Sequence, residues 1–124
     1  MLRKTVLVVD DHAPTREAYA ALLADCGFHV LEAAHGGEAI LHVHRHHPDV
    51  VLMDMMMPVL GGVETAESLR GHGATAHTPI LAVTGCTSAV EQARMRGLCD
   101  ELLLKPWPPE AIARRVERLA GMAA

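Results

Sequence analysis

The sequence has no long apolar run, no excess of basic charge, few cysteines and a single tryptophan. Its longest apolar stretches, Val6–Val9 and Val50–Met53, fall far short of the roughly 20 residues that a membrane-crossing helix needs. No charged segment followed by an apolar one opens the chain, so secretion is not signalled. Lys plus Arg number 11 against 15 Asp plus Glu, a formal net charge of -4. That balance argues against direct binding of nucleic acid, which calls for a basic surface. The three cysteines, Cys26, Cys86 and Cys99, are odd in number and lack CxxC spacing, as expected of free thiols in a reducing cytoplasm. Neither a GxxxxGK[ST] phosphate loop nor a GxGxxG run is present. What remains is a 124-residue chain, half hydrophobic and 21% charged, which suits one packed domain spanning residues 1–124.

Short apolar runs alternate with helix-like stretches. Thr5–Val9 is continuous, as a strand buried on both faces of a parallel sheet would be. A helix follows from Pro14 to Cys26, with Gly27 placed to end it. Val30 and Leu31 centre a weaker strand, and Gly37 to His47 give a helix with Ala39, Ile40 and Val43 on one face. The remaining strands are read at Asp49–Met53, Ile80–Val83 and Leu102–Leu104, and the remaining helices at Gly62–Arg70, Ala89–Arg96 and Glu110–Leu119. In the last helix Ile112, Val116 and Leu119 recur at helical spacing, and Pro109 suits its first turn. Five β-then-α repeats joined by short connections imply an α/β doubly wound parallel sheet with helices on both faces. On this reading the few residues after the last helix are not expected to form an output domain.

Ligands of such sheets bind beyond the carboxyl ends of the strands, and those ends are polar here. Asp10 and Asp11 close the first strand, Asp54 the third, Thr84 the fourth and Lys105 the fifth. Gathered carboxylates repel by about 1 kcal/mol per pair at 4 Å in water, and more in a drier site. A set of oxygen ligands without Cys or His selects a hard cation, and few protein ligands favour Mg²⁺ over Ca²⁺.

In order and spacing, VVDD with Asp10 and Asp11, Arg16, Leu22, Gly27, the Gly36-Gly37-Glu38-Ala39 run, DVVLMDMMMP with Asp54 and Pro58, Gly62, Pro79, Thr84 and Lys105-Pro106 resemble a response-regulator receiver domain of two-component signalling. The likeness runs over essentially the whole chain. It implies the flavodoxin-like strand order 2-1-3-4-5 with five helices and a stand-alone or excised receiver that acts as a switch rather than an enzyme. Asp54 is then the phosphoacceptor, taking phosphate from a phosphohistidine on a sensor histidine kinase or a histidine phosphotransfer protein. Asp10, Asp11, Asp54 and the backbone carbonyl of Met56 would hold Mg²⁺, and Lys105 would add a second positive charge. The resemblance also implies a cis Lys105-Pro106 bond, movement of Thr84 toward the phosphoryl group, and a partner-binding face on the fourth helix, fifth strand and fifth helix. The product would be a monomer or a phosphorylation-dependent dimer, with a downstream protein target that the sequence does not name.

Several positions depart from the family pattern. Leu102 stands three before Lys105, where an aromatic residue carries the readout, so the switch position holds a leucine. Gly61 replaces an acid before Gly62, and Gly97 lies one residue farther from Lys105 than usual. Gly85 keeps the site open to a phosphodonor. Met56 and Cys86 occupy the two positions that tune phosphoryl lifetime, and neither side chain orients an attacking water well, so slow self-dephosphorylation is expected. The histidines of the second helix, His42, His44, His46 and His47, are read as solvated surface, although His42 and His46 share a face suited to Zn²⁺ or Ni²⁺. Met53, Met55, Met56 and Met57 are read as core and loop packing, and Trp107 as a packing residue under the last helix. Other readings fit less well. A phosphorylation-independent scaffold would not require the intact polar set. A phosphoester hydrolase would need a substrate cap, and two acids after the first strand would repel the phosphate of FMN.

Overall fold

The computed structural model describes residues 3–58 and 60–121. Five strands and five helices alternate: β1 (Thr5–Val9), α1 (Ala13–Asp25), β2 (His29–Ala33), α2 (Gly36–His46), β3 (Val50–Asp54), α3 (Gly62–Arg70), β4 (Ile80–Thr84), α4 (Ala89–Arg96), β5 (Glu101–Leu104) and α5 (Pro109–Leu119). All strand pairs are parallel, in the order β2-β1-β3-β4-β5. This is the doubly wound arrangement expected from the alternation of apolar runs and helices.

The period-two side-chain alternation of a strand splits the core cleanly. Leu7, Val9, Val51, Met53, Ile80 and Ala82 face one layer, where α2, α3 and α4 pack through Ala39, Val43, Ala66, Leu69 and Met95. Val6, Val8, Val50, Leu52, Leu81 and Val83 face the other, against Leu23 of α1 and Ile112, Ala113 and Val116 of α5. β1, β3 and β4 are covered on both sides, which is why their sequences are continuously apolar. β2 is an edge strand and its middle is only half-buried, matching its weaker signal.

The element ends differ by a residue or two from the sequence reading, for local reasons. The first helix starts at Ala13 because the His12 side chain accepts the Thr15 amide as an N-cap, and it stops at Asp25. Gly27 follows with φ 100°, a conformation that favours glycine. The second helix begins at Gly36, after His35 as cap, and ends before His47, whose left-handed backbone (φ 45°) closes it. β3 begins at Val50 rather than Asp49, whose carboxylate instead accepts the Thr5 amide at 2.7 Å. It continues through Asp54, as β4 does through Thr84. β2 spans His29–Ala33, β5 starts at Glu101 and α5 at Pro109. Not every connection is short: residues 71–79 separate α3 from β4.

The methionine run divides by position. Met53, Met55 and Met57 are buried, while Met56 is 56% exposed. Trp107 packs partly buried against the α5 layer, with the Arg115 guanidinium 5.3 Å from its ring centre.

Candidate functional site

The carboxyl ends of β1, β3, β4 and β5 converge on one rim, and each delivers a polar side chain. Asp10 follows β1, Asp54 and Thr84 end β3 and β4, and Lys105 follows β5. Asp10, Asp11 and Asp54 each present a carboxylate oxygen within 4.8 Å of the others. Among the described residues this is the one group of three or more acids, histidines or cysteines so arranged. Lys105 Nζ lies 3.7 Å from Asp54 Oδ2.

Backbone contacts hold these groups in place. Asp54 Oδ1 accepts the Met56 amide at 2.9 Å, which turns the chain directly after the strand. Asp10 Oδ1 accepts the His12 amide at 2.9 Å, and the Asp10 carbonyl accepts from Arg16 Nη1 at 2.8 Å. Arg16 in turn pairs with Glu32 of β2 at 3.1 Å. Thr84 is fully buried, and its Oγ1 accepts the Cys86 amide at 3.0 Å. The Cys86 carbonyl accepts from Gln92 Nε2 at 2.7 Å, tying the loop to α4. Lys105 is aligned through its own amide, which donates to the Thr84 carbonyl at 2.8 Å. The following Lys105-Pro106 bond is cis, in keeping with the expectation.

Burial raises the Asp10 carboxyl above its ordinary value, and the negative charges of Asp54 and Asp11 add to that rise. The His12 amide and Lys105 pull it back in part. The cluster is therefore a set of oxygen donors whose charges oppose one another, and its chemistry fits a hard divalent cation. Asp11 is exposed and supplies the open side.

The remaining positions fall around this centre. Gly85 is exposed and Cys86 half-buried. Met56 and Cys86 both line an open cleft of about 500 Å³ between α3 and α4, with Met55, Met57, Glu64 and Met95. Gly62 starts α3 so close to the β3 end that a Cβ there would stand 2.6 Å from Met55 Cα, which explains the glycine. Leu102 is half-buried on the α4 layer, paired with Ala82 of β4. Pro106 is exposed.

One contributor was not singled out in the sequence. Tyr19, from α1, lines a crevice of about 10 Å³ with Asp10, Asp54 and Lys105, about the size of one water. Burial first, then the charges of Asp10 and Asp54, raise its phenol. Its signal is helical spacing, since Arg16, Tyr19, Ala20 and Leu23 follow one face of α1.

A parallel sheet in this strand order, with an acidic cluster, a lysine and a buried threonine at its carboxyl rim, is the architecture of a signalling receiver. The chain belongs to the response regulator receiver domain family, whose sequence pattern matches residues 6–117. It is 33% identical over 120 residues to the phosphate regulon transcriptional regulatory protein PhoB of Pseudomonas aeruginosa, covering 94% of this chain and 52% of PhoB. The chain thus spans about half the length of that relative. Among solved structures it resembles the chemotaxis response regulator CheY4 of Vibrio cholerae, with TM-score 0.86 and 31% identity over 95% of this chain and 99% of that one. It also resembles the receiver domain of the Pseudomonas aeruginosa sensor histidine kinase PA1611, solved with a magnesium ion coordinated in its active-site cleft. That match has TM-score 0.86 and 25% identity over 97% of this chain and 99% of that one. Receiver domains are signalling switches that interact with histidine kinases or phosphotransfer proteins. Among the described residues no helix is long and apolar enough to cross a membrane.

Proposed function

We propose that the chain is a single receiver domain that accepts a phosphoryl group on Asp54 from a phosphohistidine of a kinase or phosphotransfer protein. The observation that carries this reading is the convergence of three carboxylates with Lys105 3.7 Å from Asp54 Oδ2. An Asp54 carboxylate oxygen attacks phosphorus, the phosphorus–nitrogen bond breaks, and the imidazole leaves with a proton. The product is an acyl phosphate on Asp54. Asp10, Asp11, Asp54 and the Met56 carbonyl would hold Mg²⁺, which supplies charge neutralisation for the phosphoryl oxygens. The magnesium in the related PA1611 receiver supports that assignment. The Met56 amide orients the acceptor carboxylate, and Lys105 places a mobile ammonium where negative charge accumulates.

Phosphate on Asp54 offers Thr84 and Lys105 phosphoryl oxygens as new acceptors. Thr84 turning to it gives up the Cys86 amide, and Cys86 is joined to α4 through Gln92. The loop and α4 are thereby the elements that report the phosphorylated state. Their partner is a protein, and the longer relative PhoB fits a reading in which the domain governs a separate output segment.

The test is intact-mass analysis after incubation with acetyl phosphate and Mg²⁺. One phosphoryl group on the wild type, absent from Asp54→Asn and from a chelated sample, is the expected result. Failure to label in the presence of both acetyl phosphate and a purified phosphohistidine donor, with Mg²⁺ still bound, would instead make the domain a phosphorylation-independent scaffold.

A further inference from the structure

Away from the acidic rim, the histidines of α2 are arranged in pairs. His44 of α2 and His72, just beyond α3, bring their rings to a centroid separation of 5.6 Å with planes at 88°. His42 and His46, four apart on α2, lie at 5.7 Å and 31°. The first pair joins two separate segments of the chain, and one of its rings is oriented by a backbone contact. His72 Nδ1 lies 2.8 Å from the Ser68 carbonyl. A carbonyl only accepts, so Nδ1 is the donor in this contact, and Nε2 of the neutral ring is the nitrogen left to bind an ion. A backbone carbonyl bound to one ring nitrogen is the usual support for an imidazole that ligates metal through the other.

The separation also suits a shared ion. With metal–nitrogen bonds of about 2.0–2.1 Å, an ion sits about 3.2 Å from each ring centre. Two imidazoles on one ion then stand about 5.2 Å apart at a tetrahedral angle and about 6.4 Å apart when linear. The observed 5.6 Å lies between these limits. Both His44 and His72 are exposed, so an ion reaches them from solvent and water completes its coordination. Imidazole nitrogen selects late transition ions, whereas the oxygen cluster at Asp10, Asp11 and Asp54 selects a hard ion.

We propose that His44 and His72 form a two-imidazole site for a divalent late transition ion, Zn²⁺ or Cu²⁺, clamping the end of α2 to the segment that follows α3. The site is independent of the chemistry at Asp54. His42 and His46 could chelate on their own, so the test removes them with the double substitution H42Q/H46Q. In that background, with saturating Mg²⁺, Zn²⁺ is titrated while the histidine ring nitrogens are followed by NMR. The expected result is that His44 and His72 signals change together and saturate at one equivalent, with His77 as an exposed control that responds only at higher Zn²⁺. His44→Gln should weaken the response of His72 by at least about tenfold, and His72→Gln that of His44, because each loses its chelating partner. A His72 response unaltered by His44→Gln would overturn the proposal, as would equal responses at His44, His72 and His77, which mean adventitious single-imidazole binding only.

Discussion

Asp10 and Asp54 are carboxylates at the ends of adjacent buried strands, and their surroundings give them different work. Asp54 has one oxygen held by the Met56 amide and the other facing Lys105, an arrangement that fixes the direction of its carboxylate as the proposed transfer requires. Asp10 is 4% exposed, held by the His12 amide and pushed up by burial, an arrangement that favours a cation beside it. Two residues past Asp54, Met56 is exposed. It offers neither donor nor acceptor of strength to a water attacking the acyl phosphate. Met56→Asn supplies an amide there and is expected to speed loss of the phosphoryl group several-fold, measured as decay of the phosphorylated mass after the donor is removed. An unchanged decay rate would show that side-chain polarity at this position does not set the lifetime. The rim residues Asp10, Asp11, Asp54, Thr84 and Lys105 were legible in the sequence because each polar residue interrupts or closes an apolar run. Tyr19 was not, because a lone aromatic on an alanine-rich helix reads as packing until the fold sets it beside Asp54.

At the scale of elements, strands and helices followed from apolar runs and periodicity, whereas their ends followed from side-chain bonds to backbone. Asp49 leaves β3 to bind the Thr5 amide, and His12 and His35 cap helices where Ser, Thr, Asp or Asn is usual. The long α3–β4 connection was the least legible part, and one arginine organises it. Arg70 donates to the carbonyls of Leu98, Ala76 and Thr78 at 2.8, 3.0 and 2.7 Å, and to Asp100 Oδ1 at 2.9 Å. Asp100 Oδ1 also accepts the Ile80 amide at 2.7 Å, at the start of β4. Three carbonyls and a carboxylate converge on one guanidinium, a geometry that a lysine does not reproduce. Arg70→Ala is expected to cost about 2–4 kcal/mol in urea unfolding, with Arg70→Lys recovering only part of it. A loss near zero would mean that water replaces these bonds freely.

For the molecule as a whole, the acidic rim sets function against stability. The folded-state pKa of Asp10 lies above its ordinary value of 3.8. The stability linked to its protonated form is therefore complete below that value and is lost as pH rises through the folded pKa. At neutral pH without divalent ions the buried charge weighs against the fold. Asp10→Asn keeps the acceptor for the His12 amide and removes the charge, so it is expected to stabilise the metal-free protein. In a tenfold excess of Mg²⁺ over its dissociation constant the wild type gains about 1.4 kcal/mol by mass action, and Asp10→Asn gains much less. Thermal unfolding with and without Mg²⁺ checks both signs, and an equal gain in the two proteins would remove Asp10 from the metal site. The parallel sheet with helices on both faces was legible because strict alternation and right-handed crossovers leave few topologies, whereas its strand order came from the family resemblance. The leucine at position 102 shows where such reading ends, since its burial against the α4 layer is visible only in the fold. The central claim, that Asp54 accepts phosphate, is tested most directly by reducing the phosphorylated protein with borohydride and mapping the modified residue by peptide mass. An acyl phosphate on aspartate reduces to homoserine, and the account predicts that change at position 54 alone. Homoserine at position 10 or 11, or a phosphorylated protein with no reducible site, would contradict it.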